Sequence, residues 1–288
     1  MTGAGAVLVI VAYALRESLR RRVFLVVLVL TLGFLALYGV GTYFAFRDVK
    51  SFAPPDKNIL DPTAFTGATV LGLAMFATLF LGAVVAIFLT LGVVRGDAEA
   101  GLLQPIVVRP IGRQTIVLAR LAGAAAVAAA YVLVVYAIAL AITVAVGGWV
   151  PDHVVGPALG LALAVVTIAA ISLLASVFMS ATAQGIAVFM VFGTGLTAGL
   201  LDQIGRALNS DSLHAIGRVA TWLLPFDGLY QAGLHALISD TTGLTGFVLQ
   251  LGPFGGAEGA GALLVLWALA YTALVAGGAA LAFSRRDL

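Results

Sequence analysis

Few side chains in this sequence can do chemistry, and they are unevenly placed. His153, His214 and His235 are the three histidines, and a metal site needs several ligands converging on one point. They lie far apart with no close pair, with Asp211, Asp227 and Asp240 as potential neighbours, so they are read as solvated loop residues and no metal site is expected. Cysteine is absent, which removes disulfides, thiolate ligands and cysteine nucleophiles. Neither Lys50 nor Lys57 follows the Gly-rich pattern of a phosphate-cradling loop, so the chain is not itself an ATPase of that kind. No catalytic motif is found, and no enzyme activity is expected of the chain alone. What remains is a charged island, Arg95 to Arg120, with Arg95, Asp97, Glu99, Arg109, Arg113 and Arg120 set around Gly101, Pro105 and Pro110. Gly101 permits a break, and the two prolines stop a helix from continuing. The pattern is that of a short docking surface for an aqueous partner, held between two rigid elements.

Those elements are apolar. The chain has 288 residues, 62% apolar and 10% charged, and a mean hydropathy of +1.13, whereas soluble domains carry about a quarter charged residues. About 20 apolar residues cross a bilayer, and charge-free stretches mark six crossings: 23–46, 65–94, 121–147, 158–178, 185–201 and 259–283. The expected fold is therefore an all-α integral membrane protein, one compact membrane domain over residues 1–288. The fourth and fifth crossings form a tight hairpin divided by the polar patch Ser180 to Gln184. Gly195 and Gly199 form a GxxxG pair, as do Gly156 and Gly160, and such small residues suit close helix packing within a bundle or between protomers. These spans contain no Asp, Glu, Lys, Arg or His, which counts against an ion-coupled carrier and against an intramembrane acid-base enzyme.

Residues 1–22 read as an interfacial amphipathic helix. Val7, Ile10, Val11, Ala14 and Ser18 share one face, with Arg16, Glu17, Arg20 and Arg21 off it. Six crossings place both termini on one side. That side holds ten basic residues against four acids, the other five against nine. By the positive-inside rule the termini and the island, 95–120, are cytoplasmic. The segment 202–258 then lies outside, with Ile204, Leu208, Ile216, Val219 and Leu223 suggesting amphipathic helices, and residues 241–254 an interfacial or re-entrant stretch.

The island also carries a family likeness. An acid, Glu two residues on and Gly two further, then Arg-Pro-x-x-Arg and a basic residue before the next span, is similar to the cytoplasmic loop of ABC-2 type permeases. Those places are taken by Asp97, Glu99, Gly101, Arg109, Pro110, Arg113 and Arg120. Leu102 stands where Thr is usual, Asp97 replaces the commoner Glu, and Arg120 replaces Lys. The likeness extends to the basic helix before the first span, to Leu224-Pro225-Phe226-Asp227-Gly228-Leu229-Tyr230 and to the terminal Phe283-Ser284-Arg285-Arg286-Asp287-Leu288. It looks closest to the NosY-type permeases of multicopper-enzyme maturation.

This resemblance implies the fold of a type V exporter and a coupling role for Arg95, Asp97, Glu99, Gly101, Arg109, Pro110, Arg113 and Arg120. It also implies two copies of an ABC-type ATP-binding subunit, which hold the ATP and Mg while this chain carries no cofactor. A second permease chain is implied, packed through Gly195 and Gly199, in a bacterial or archaeal inner membrane. The predicted function is ATP-driven export of an apolar or amphipathic substrate. The alternative is mechanotransmission to an extracytoplasmic protein touching Pro225, Asp227 and Tyr230. Membrane lipid is an expected partner and nucleic acid is not.

Overall fold

The computed structural model describes residues 22–51, 61–92, 113–208, 210–237 and 261–285. Within these, the chain forms eight helices: α1 Arg22–Ser51, α2 Pro62–Thr90, α3 Arg113–Gly147, α4 Val155–Phe178, α5 Ala181–Ala207, α6 Asp211–Leu223, α7 Pro225–Ala236 and α8 Ala262–Ser284. Six of them, α1 to α5 and α8, are long and apolar enough to cross a membrane, the number that the charge-free stretches predict. In hydrocarbon a helix is favoured because every interior backbone group finds its partner within the segment.

Local chemistry sets several of the ends. Asp61 caps α2, its Oδ1 accepting from the N–H groups of Thr63 at 2.9 Å and Ala64 at 3.2 Å, and Pro62 occupies the first turn, where a missing N–H costs nothing. The same helix stops at Thr90, four residues short of the predicted Val94. Leu91 is extended and Gly92 sits at φ 66°, in the left-handed region that favours glycine.

The third span differs in the other direction. Its helix begins at Arg113 rather than Leu121 and runs 35 residues, about 52 Å at 1.5 Å per residue, against a hydrocarbon core of about 30 Å. The last residues of the island are therefore a helical extension of α3.

Packing separates a centre from a rim. In the most apolar stretches of α2 and α4, 67% of residues are buried, against 22% for α1 and 17% for α8. Leu71, Met75 and Leu79 of α2 meet Leu161, Ile168 and Leu173 of α4 in the core, and both helices are apolar on every face, as interior helices must be. Hydroxyl pairs tie the rim helices to their neighbours, α1 to α3 and α8 to α4. Thr31 bonds Tyr131, Tyr38 bonds Thr143, and Thr167 and Thr272 lie 2.8 Å apart.

The outer segment is where prediction and structure part most. Residues 202–237 do not stand away from the bundle: α6 doubles back along α5, and α7 climbs outward again between α4, α5 and α8. The turn at Leu224 lies against Gly195 of α5, while Leu237 at the end of α7 accepts from the N–H of Asp152 at 3.3 Å. At 13 and 12 residues, neither helix is long enough to cross alone. Together they form a re-entrant pair that packs back against the bundle. The interfacial helix expected over 1–22, apart from Arg22, and the stretch 241–254 lie outside the described residues.

Candidate functional site

Two places gather the polar side chains that an apolar bundle can hold: the mouth of the island and the re-entrant pair. At the mouth, the end of α2 would expose its last carbonyls. One amide meets them. Gln184, fully buried in the first turn of α5, donates from Nε2 to the carbonyl of Thr90 at 3.0 Å and the carbonyl of Ser172 at 2.9 Å, with Ser172 Oγ at 3.0 Å. Its Oε1 accepts from the N–H of Gly92 at 3.0 Å. Thr90 Oγ1 also lies 2.7 Å from Ser172 Oγ. The side-chain amide thus pairs with the backbone on both sides of Leu91, as a second strand would, while its Nε2 also ties α4.

The patch Ser180 to Gln184 was expected as a polar hairpin turn. Met179 and Ser180 alone make the turn, and Gln184 belongs to the buried interior. A long amide in an otherwise apolar helix was the available signal. Its partners, 92 to 94 residues away in α2 and 12 away in α4, were not visible.

Beside this junction α2 and α5 part, leaving an open apolar cavity of about 550 Å³ lined by Ile87, Phe88 and Leu91 on one side and Ile186, Phe189 and Met190 on the other. Of the predicted coupling residues, Arg95, Asp97, Glu99, Gly101, Arg109 and Pro110 lie outside the described residues. Arg113 opens α3, and Arg120 stands two turns further along it, half-buried.

At the re-entrant pair, the side chains expected to face an outer protein turn inward. Pro225, Asp227 and Tyr230 are all buried, Tyr230 with its hydroxyl 3.5 Å from the carbonyl of Gly72 and its ring edge-on to Phe76. The pair Gly195 and Gly199 packs within the chain: a Cβ on Gly195 would meet the Phe226 ring at 2.5 Å, and one on Gly199 would meet Asp227 Oδ2 at 2.2 Å. Phe226 in turn stacks on Phe192. The physical reason is the absence of side chains at these two positions, which lets α7 lie directly on the backbone of α5.

This places a carboxyl group, Asp227, 3% exposed, against Gly199 of α5.

The histidines are also regrouped. His153 and His235 line one cavity of about 630 Å³ between α4, α7 and α8, although 82 residues separate them in sequence. Among the described residues, no three histidine or acidic side chains converge as a metal site would require.

The model of a known family, described as ABC-2 family transporter protein, matches residues 8–288. A search of curated proteins found no match. The matched range takes in the island, the six apolar helices and the re-entrant pair. This chain belongs to the ABC-2 family of transporter proteins, as the multi-pass permease subunit that works with ABC ATP-binding subunits.

Proposed function

We propose that this permease exports an apolar or amphipathic substrate from a bacterial or archaeal inner membrane. Two ATP-binding subunits dock on the islands of two permease chains and hold the ATP and Mg. The observation that carries the reading is the attachment of the island. It leaves the membrane from α2, a helix at the centre of the packing, and re-enters through a helical extension of α3, which packs along α2. A displacement of the island by a docked ATPase therefore acts on the core of the bundle rather than on a peripheral helix. ATP binding and hydrolysis bias the conformations through differential contacts with the island.

The substrate class follows from the apolar cavity between α2 and α5 and from spans without charge. Action on an extracytoplasmic protein, the role suggested by the likeness to maturation permeases, is the competing reading. The burial of Pro225, Asp227 and Tyr230 withdraws the residues that such a partner would have touched, which favours transport.

The test is reversal of the island's acids. Asp97→Lys with Glu99→Lys opposes whatever cation the ATPase presents, and loss of such a pair costs about 2 kcal/mol or more, roughly thirtyfold in affinity. Co-purification of the ATPase and ATP turnover by the complex are expected to fall together. Undiminished assembly and turnover would remove the docking role from these two residues.

A further inference from the structure

We propose that Gln184 is a positioning residue that ties the island to the α4–α5 hairpin, so that a displacement of the island by the ATPase moves this hairpin with it. The inference rests on the reading of the island as the ATPase docking surface, and adds the route by which movement enters the bundle.

Three observations carry it. First, the amide grips the backbone at the point where the chain leaves the membrane. Gly92 is three residues before Arg95, a distance of at most about 11 Å, so little slack lies between the clamp and the first charge of the island. Second, the same amide holds three elements at once: α2 through Thr90 and Gly92, α4 through Ser172, and α5 on which it stands. Third, α2 and α5 share few other contacts, and an apolar cavity of about 550 Å³ separates them next to the clamp. A buried amide bonded on both its donor and its acceptor side is therefore the main polar link between two helices that otherwise diverge.

Hydrogen bonds suit this task because they are directional and discrete, so the link is either made or broken. With the clamp made, a pull on Gly92 is a pull on the first turn of α5. With it broken, α2 moves alone and the wall formed by Ile186, Phe189 and Met190 stays behind.

The absence of native cysteine makes the test direct. Cysteines replacing the exposed Leu37 of the rim helix α1, which the amide does not hold, and Met190 of α5 carry spin labels, and the interlabel distance is measured in the permease–ATPase complex with and without a non-hydrolysable ATP analogue. The original Gln184 is expected to give a nucleotide-dependent distance change. Gln184→Met, which keeps the length and removes both polar ends, is expected to retain the bound ATPase and to lose that change.

Gln184→Glu supplies a second arm that does not depend on recovery of the methionine variant. Its carboxylate can accept from Gly92 but cannot donate to Thr90, whereas the protonated acid does both, and burial raises a carboxyl pKa. Relative to unsubstituted Gln184 at the same pH, its distance change is expected to be lost at alkaline pH, where the carboxyl ionises, and to return on acidification.

A full change in Gln184→Met, or a Gln184→Glu response equal to that of Gln184 at acid and alkaline pH alike, overturns the clamp. So does a Gln184 complex that turns over ATP with no distance change. Failure of the unsubstituted chain to bind the ATPase overturns instead the docking reading on which the clamp rests.

Discussion

The two ends of this bundle solve one problem by opposite means. Each must join helices where the backbone turns and where little water is available to satisfy it. At the cytoplasmic mouth the join is polar: Gln184, Thr90 and Ser172 share donors and acceptors across α2, α4 and α5. At the outer end the join is steric, with α7 laid on the bare backbone of Gly195 and Gly199 and wedged by Phe226 and Tyr230. A polar join can be opened and remade at modest cost, since buried hydrogen bonds in membrane bundles contribute only about 0.6 kcal/mol on average. A steric join tolerates almost no change, because interiors are packed close to crystal density. The end that carries the island is thus the one that can open and close, and the opposite end the one that stays.

Gly199→Ala should damage the molecule most. The new Cβ would lie 2.2 Å from Oδ2 and 2.8 Å from Cγ of Asp227, and that carboxyl cannot swing into solvent because Phe226 and Gly228 are buried on either side of it. Overpacking of this kind costs about 1–3 kcal/mol, and displacement of a buried charge puts this case at the upper end. The apparent Tm of the purified permease is expected to fall accordingly. An unchanged Tm would mean that α7 floats on α5, and the contrast between the two ends would fail.

Ser172→Ala probes the polar end and should cost less. It removes the hydroxyl that Gln184 and Thr90 both approach, yet each keeps another partner: Nε2 retains the carbonyls of Thr90 and Ser172, and Thr90 Oγ1 retains the carbonyl of Ala86 at 2.9 Å. No buried group is orphaned, so the loss is about 0.5–1 kcal/mol, again read from Tm. A loss as large as that for Gly199→Ala would show that the mouth is a single rigid network with no redundancy, and therefore a poor switch.

The sequence displayed these two ends unequally. Spans were legible because charge is excluded from them over 20 residues or more, whereas the start of α2 was read at residue 65 and lies at Pro62, where Asp61 caps the first turn. The island stood out for the same reason in reverse. Gln184 was visible as a residue type but not as a clamp, because its partners are mostly backbone atoms, which every residue possesses. Asp227 was misplaced outside because α6 and α7 are each too short to register as spans, and a rule built on 20 apolar residues does not detect a helix pair that enters and leaves by the same face. Gly195 and Gly199 carried the right signal for close packing, but a GxxxG motif does not name the surface it approaches. Here that surface is α7 of the same chain.

The smallest effect separates that surface from any other on α5. Gly193 lies on the same helix, two residues before Gly195, and a Cβ there would meet nothing within 4 Å. Ala in place of Gly within a helix is favoured by about 0.5–1 kcal/mol, because glycine loses more backbone freedom on folding. Gly193→Ala is therefore expected to raise the apparent Tm slightly and Gly195→Ala to lower it, the latter because its Cβ would strike the Phe226 ring. The two positions are 200° apart around the helix at 100° per residue, so they test opposite faces. A rise at Gly193 would confine the glycine-dependent packing of α5 to the side that holds α7. A fall at Gly193, seen only where two permease chains associate, would place a second copy against the other side and make α5 a helix with two close-packed faces.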